Sequence, residues 1–306
     1  MENWLHPVIP WPRRSPELGE FYALSCALVW AFAVILFRKS GSTIAPLALN
    51  LFRVGITSIL FLLSLLVLRI PLWGHAPLSD YLILMASGII AIAVADTLFH
   101  MSLNRVGAGI NAIVNSLYSP SVLLFAYLML GERFTLMQFM GMILMVSGLV
   151  VATQVQPPPG TTRRDLVVGI GLGVMAMACL GFGIVLAKQV LEGANVLWAT
   201  SIRQFGSLAV LIPITLLRKD RVRTWRVFIP SADWKYSLPG AILGSYVALI
   251  LWIAGMKMIP AGKAALLNQT STIYLLFLAC LILKEPFGKR KALAAFLSVC
   301  GVLLVL

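Results

Sequence analysis

Charge is scarce in this chain. Of 306 residues, 11% are charged and only eleven are acidic, whereas a water-soluble domain carries roughly 25% charged residues. A soluble fold of this length could not cover its surface with so few, and a disordered polymer needs more charge still. Cysteine is equally sparse. Cys26, Cys179, Cys280 and Cys300 all stand inside apolar runs, which indicates neither a disulfide framework nor a metal site. The chain has no P-loop, HExxH or GxSxG pattern, so no cofactor, nucleotide-driven pumping or enzyme constellation is expected. A cleaved leader is not expected either. Arg13-Arg14 precede an apolar run longer than a leader's core, and Ala31-Phe32-Ala33 falls deep within that run.

What the chain has in abundance is apolar sequence: 60% of its residues are hydrophobic and the mean hydropathy is +0.94. The reading is an all-α integral membrane protein in a lipid bilayer, because an open sheet edge finds no partners in hydrocarbon. Ten transmembrane helices are predicted, at 18–37, 46–68, 78–103, 109–130, 134–153, 166–187, 196–217, 236–256, 264–283 and 287–306. Residues 1–17, rich in Pro and Trp, form an N-terminal interfacial tail, and residues 155–165, with Pro157-Pro158-Pro159-Gly160, form a linker. The net charge of +13 does not imply nucleic acid, since Lys and Arg sit in the short loops that flank spans.

The chain repeats itself. Shifted by 153 residues, Ala108-Gly109 falls on Ala261-Gly262, Asn115 on Asn268, Glu132 on Glu285, Phe134 on Phe287 and Gly148 on Gly301. A slightly smaller shift sets Phe52-Arg53 opposite Ile202-Arg203. The first repeat spans 18–154 and the second 166–306. Five spans per half make the second copy enter the membrane from the opposite side, giving two inverted five-helix repeats. From that architecture alternating-access transporters are built, with the site near the midplane between the halves.

Arg53 and Arg203 in the second helix of each half, together with Leu130-Gly131-Glu132-Arg133-Phe134 and Leu283-Lys284-Glu285-Pro286-Phe287 at each fourth-helix end, carry a resemblance. Over residues 18–306 the chain resembles the EamA-domain branch of the drug/metabolite transporter superfamily. The resemblance implies a secondary carrier, with export of amino acids or other small metabolites common among its members. It also implies a cavity lined by helices 1, 3, 4, 6, 8 and 9.

Polar groups inside spans are the functional candidates. Asn111, Asn115, Tyr118 and Ser119 share a face of the fourth helix just before Pro120, and Asn268, Gln269 and Thr272 mirror them in the ninth. Two matched polar faces from opposite halves predict a substrate cavity, with Trp30 and Tyr246 adding aromatic surface. Asp96 and His100, at i and i+4, stack on one helix face. They read as a self-satisfying structural pair or as a proton-coupling device. Arg53 and Arg203 read as structural clamps, the alternative being an anion site. Glu132 and Glu285 read as structural ends. Gly169 and Gly173, in the glycine-rich sixth helix, predict close helix contact.

Orientation is where two arguments collide. Seven cations (Arg13, Arg14, Arg69, Arg133, Lys188, Lys257 and Lys263) fall on the side of the termini and fifteen on the other, six of them between Arg218 and Lys235. The positive-inside rule then places the termini outside, whereas the resemblance implies cytoplasmic termini in a bacterial inner membrane. The resemblance is followed, with Arg221–Tyr236 read as an interfacial stretch that inflates the count. The expectation is a transporter of small molecules, as monomer or homodimer. The competing reading is a membrane-embedded enzyme using Asp96 and His100 on a lipid or small molecule.

Overall fold

Hydrocarbon offers backbone amides and carbonyls no water, so a segment must satisfy them internally. The computed structural model describes residues 16–74, 76–131, 133, 135–153, 161–259 and 261–305, without the side chains of 138, 153, 192, 261–266, 269, 302 and 305, and these residues form helices with no strand among them. Most of the N-terminal tail, most of the linker, Glu132, Phe134 and the Gln269 side chain therefore lie outside the described residues.

Eleven helices follow in chain order among the described residues. They are α1 (Pro16–Ser40), α2 (Pro46–Val67), α3 (Leu78–Asn115), α4 (Tyr118–Leu130), α5 (Leu136–Thr153), α6 (Arg163–Gly193), α7 (Val196–Leu217), the short α8 (Arg221–Trp225), α9 (Trp234–Met258), α10 (Ala261–Leu283) and α11 (Lys289–Val305). Six of them, α1, α2, α3, α6, α7 and α9, are long and apolar enough to cross a membrane. Three shorter apolar stretches, Tyr118–Leu130, Phe139–Ala152 and Thr270–Leu283, accompany them.

The predicted third and fourth spans are divided differently from the sequence reading. α3 runs on to Asn115 but breaks at Gly107, whose φ of 77° and ψ of 170° are non-helical and open to a residue without Cβ. The remainder of the fourth span is interrupted at Ser116-Leu117, where the amides bond three residues back, to Ile113 and Val114. Pro120, lacking an amide hydrogen, sits in the first turn of α4, where a helix tolerates it.

Helix starts follow local chemistry. Pro46 begins α2 with its fixed φ and no amide to satisfy. Thr162 and Asp165 cap α6 reciprocally, so that helix starts at Arg163, inside the expected linker. Two π-helical turns interrupt otherwise α-helical segments, Ile89–Val94 in α3 and Leu243–Val247 in α9. They occupy repeat-related positions.

Packing joins the halves rather than separating them. α1 lies against α9 and α10, and α6 against α3 and α4; α2 and α7 pack on each other, as do α5 and α11. Exchanging the first half for the second maps this scheme onto itself. Small residues permit the close crossings. A methyl on Gly88 would land inside the Arg203 carbonyl group, one on Gly206 would meet Met85 Cα at 2.6 Å, and one on Gly173 would meet Val114 Cγ1 at 2.6 Å. Outside the bundle, Leu66, Val67, Leu136, Leu217 and Phe296 are exposed, an apolar surface that a bilayer covers. The Arg221–Tyr236 stretch packs back on α2: the Phe52 ring lies 5.6 Å from that of Phe228 and 5.3 Å from that of Trp234.

Candidate functional site

Polar residues from both halves line a cavity of about 150 Å3. Trp30 and Cys26 on α1, Arg53 on α2, Asp96 and Phe99 on α3, Asn115 at its end and Tyr118 on α4 supply the first half of the wall. Met177 and Leu180 on α6, Arg203 and Gln204 on α7, Ser245 and Trp252 on α9, and Asn268 and Ser271 on α10 supply the second. Both π turns contribute, through Ala91 and Ile92 on one side and Gly244 and Ser245 on the other. A π turn widens the backbone and such turns recur at functional sites. Helices α2 and α7 thus reach the cavity too, through their arginines, beyond the set of helices that the resemblance implies.

Helix α3 holds the wall in place through α2. Asn50 Nδ2 donates to the Ile92 carbonyl and to Thr97 Oγ1, both at 2.9 Å, with the Ala93 carbonyl at 3.2 Å. One buried amide thus ties α2 to two carbonyls of the π turn, and Thr97 Oγ1 also donates to the Ala93 carbonyl at 2.6 Å. Arg53, one turn along α2, donates to Asn50 Oδ1 at 2.9 Å, forms an ion pair with Asp96 and lies over the Phe37 ring at 5.8 Å. The partner of Asp96 is therefore an arginine from a neighbouring helix and not His100, which corrects the self-satisfying pair read from the i, i+4 spacing. His100 is buried with its ring edge-on to Phe37 at 5.0 Å and Phe99 at 5.4 Å, and neither of its nitrogens has a hydrogen-bond partner among the described residues. The two residues share no hydrogen bond, which an acid–base relay between them requires.

The other arginine is held differently. Arg203 is 2% exposed; its Nε donates to Ser87 Oγ at 3.1 Å, and that hydroxyl in turn donates to the Gly183 carbonyl at 2.6 Å. Its Nη1 is buried without a partner. Among the described residues no carboxylate forms an ion pair with it. Beside it, Gln204 donates to Thr57 Oγ1 at 3.2 Å and leaves Oε1 unpartnered. Asn115 Oδ1 and Asn268 Oδ1, which the repeat superimposes, are likewise buried and unpartnered.

Of the expected cavity residues, Trp30, Asn115, Tyr118 and Asn268 line the wall. Asn111, Ser119, Tyr246 and Thr272 are not part of that wall. Asn111 donates to Ser102 Oγ at 3.1 Å, Tyr246 reaches the Ser64 hydroxyl and packs on Phe61 at 4.9 Å, and Thr272 donates to the Ala112 carbonyl at 3.4 Å. Ser119 is buried at 3% exposure. Gln204 and Ser245 were missed by sequence reasoning. Gln204 carried a usable signal, a polar side chain in mid-span directly after Arg203.

At one end of the bundle Glu285 ties the halves together. It accepts from the Ala108 amide at 2.7 Å and the Gly109 amide at 2.9 Å, and Lys291 Nζ lies 3.0 Å away. The Gly107 break creates a helix N-terminus in the first half, and a carboxylate from the second half caps it, a favourable end for negative charge.

Comparison with known proteins agrees with this architecture. An uncharacterized transporter of Methanothermobacter thermautotrophicus is 22% identical over 228 residues, covering 74% of this chain and 65% of that protein. An uncharacterized transporter of Archaeoglobus fulgidus is 21% identical over 284 residues, 93% of this chain and 96% of that one. A solved crystal structure shares the fold with a TM-score of 0.68 at 16% identity, covering 95% of this chain and 96% of the other. The EamA-like transporter family matches residues 17–154 and 167–306. With two copies of that family's repeat in one multi-pass membrane chain, the protein belongs to the EamA-like transporter family of the drug/metabolite transporter superfamily.

Proposed function

We propose that the chain is a secondary transporter that moves small metabolites, amino acids among them, by alternating access through the cavity between two inverted repeats. The observation that carries this reading is the composition of the cavity wall. Both repeats furnish it, and the repeat-related Asn115 and Asn268 both line it, each with a buried amide oxygen that has no hydrogen-bond partner among the described residues. Buried polar atoms without partners cost free energy, so they are retained where a ligand completes them. The self-mapping packing of the two halves supports rocking of one repeat against the other around a fixed site. Export, a bacterial inner membrane and cytoplasmic termini follow from the family resemblance and belong to the same proposal.

The test is flux of a metabolite panel into vesicles containing the purified protein. At least one compound should enter saturably, and Asn115→Ala and Asn268→Ala should each lower that flux severalfold. Flux indifferent to both substitutions would contradict the cavity as the route.

Proton coupling is proposed through Asp96, the one carboxylate among the described lining residues. Arg53 pairs with it, Arg203 and Tyr118 share its cavity, and His100 lies a turn away on α3. Protonation would release Arg53 and so link the state of α3 to that of α2. In Asp96→Asn the dependence of flux on the pH gradient should vanish. Flux that keeps its pH profile would remove Asp96 from any coupling role.

A further inference from the structure

The two repeat-related arginines have parted in their electrostatics. Arg53 has its counter-ion in Asp96. Arg203, just as deeply buried, has a serine hydroxyl on Nε, no partner on Nη1 and no ion pair among the described residues. The described residues lining the cavity carry two guanidinium groups and one carboxylate, so the wall holds one uncompensated positive charge. Taking a charge out of water costs several kcal/mol unless an opposite charge meets it, and inside a membrane protein such a charge marks a substrate or ion path. Lysine could supply the same charge, but only arginine offers a planar fork that fits a carboxylate with two parallel hydrogen bonds.

We propose that Arg203 is the substrate-binding residue that receives the carboxylate of a small organic monoanion. The inference rests on the transporter reading of the cavity and names the substrate class of that same site. The rest of the wall sets the size and character of the ligand. Trp30, Phe99, Met177, Leu180 and Trp252 give an apolar chamber beside the guanidinium. At about 150 Å3 it matches the cavities that take a benzene-sized body. The amide oxygens of Asn115, Asn268 and Gln204 accept whatever N–H or O–H groups that body carries. Ser87 fixes the fork: its hydroxyl accepts from Nε and donates to the Gly183 carbonyl, while Nη1 is left without a partner for the ligand to complete.

The experiment compares benzoate with benzamide, its neutral counterpart of the same shape, by titrating the tryptophan fluorescence of the detergent-purified full chain, since Trp30 and Trp252 form part of the wall. Benzoate should bind the native protein at least tenfold more tightly than benzamide. Arg203→Gln should lose about tenfold or more in benzoate affinity while benzamide affinity stays within twofold, which also shows that the variant is folded. Arg203→Lys should fall between the two, keeping the charge without the fork. Equal binding of benzoate and benzamide, no benzoate binding, a loss of both ligands in parallel in Arg203→Gln, or tighter binding of phenylphosphonate than of benzoate would overturn the assignment. Vesicle flux separates this inference from the transporter reading. If the carboxylates of the panel are carried equally well by native protein and Arg203→Gln, the carboxylate site falls and the transporter stands. If benzoate binds through Arg203 but no carboxylate of the panel is carried, the site stands and the transporter reading falls.

Discussion

A single buried arginine can have opposite meanings according to what neutralises it, and Arg53 and Arg203 show both within one fold. Arg53 meets Asn50 and its counter-ion Asp96 through Nη2 and lies over the Phe37 ring, although its Nε is buried without a hydrogen-bond partner among the described residues. Removing one member of a buried pair leaves the other charge stranded, which costs about 3 kcal/mol or more. Asp96→Asn should accordingly lower the unfolding temperature of the purified protein clearly. The double change Arg53→Met with Asp96→Leu should recover most of the loss, as apolar replacements of whole pairs do. If the double variant were as unstable as the single one, the pair would be holding α2 to α3 by more than charge neutralisation. This pairing was not legible in the sequence. The i, i+4 spacing offered His100 as the nearest partner for Asp96, whereas the guanidinium arrives from a separate helix that only tertiary packing brings close. The repeat revealed that Arg53 and Arg203 correspond, but correspondence of position hid the difference in counter-ion.

At the scale of the helix, the apolar runs and the punctuation between them were readable, because a bilayer imposes length and hydropathy on every span. The π turns were not. Six residues at Ile89–Val94 and five at Leu243–Val247 are too few for a change of period to show against an almost uniformly apolar background. Asn50 holds the first of them to α2. Asn50→Ala should remove the donor to the Ile92 carbonyl and destabilise the protein by about 1–3 kcal/mol, read as a drop in unfolding temperature, while Asn50→Asp should be no better because it brings no donor. Close helix crossings were half legible: Gly169 and Gly173 announced one, but the contact of Gly88 with the Arg203 backbone did not. Gly88→Ala should cost about 1–3 kcal/mol, since the methyl collides with main chain that cannot turn aside. Gly171→Ala, where a methyl meets nothing within 4 Å, should be neutral or slightly stabilising. Equal effects at the two glycines would mean that α3 and α7 do not cross as described.

For the whole molecule, the two halves hold one another through the helix pairs and through Glu285, whose carboxylate in the second half caps the Ala108–Gly109 amides of the first. Glu285→Ala should strand both amides and the Lys291 ammonium and lower stability by about 2 kcal/mol or more. Glu285→Gln, which keeps an acceptor oxygen, should restore part of it in the same thermal assay. The central claim is that one cavity, walled by both repeats, opens in turn to each side of the membrane. Its most direct test is Ser245→Cys, at the cavity wall, in a chain whose four native cysteines are replaced by alanine. Membrane-impermeant thiol reagents should label that cysteine in vesicles of either orientation. Labelling from one side alone, or from neither, would contradict alternating access through this cavity.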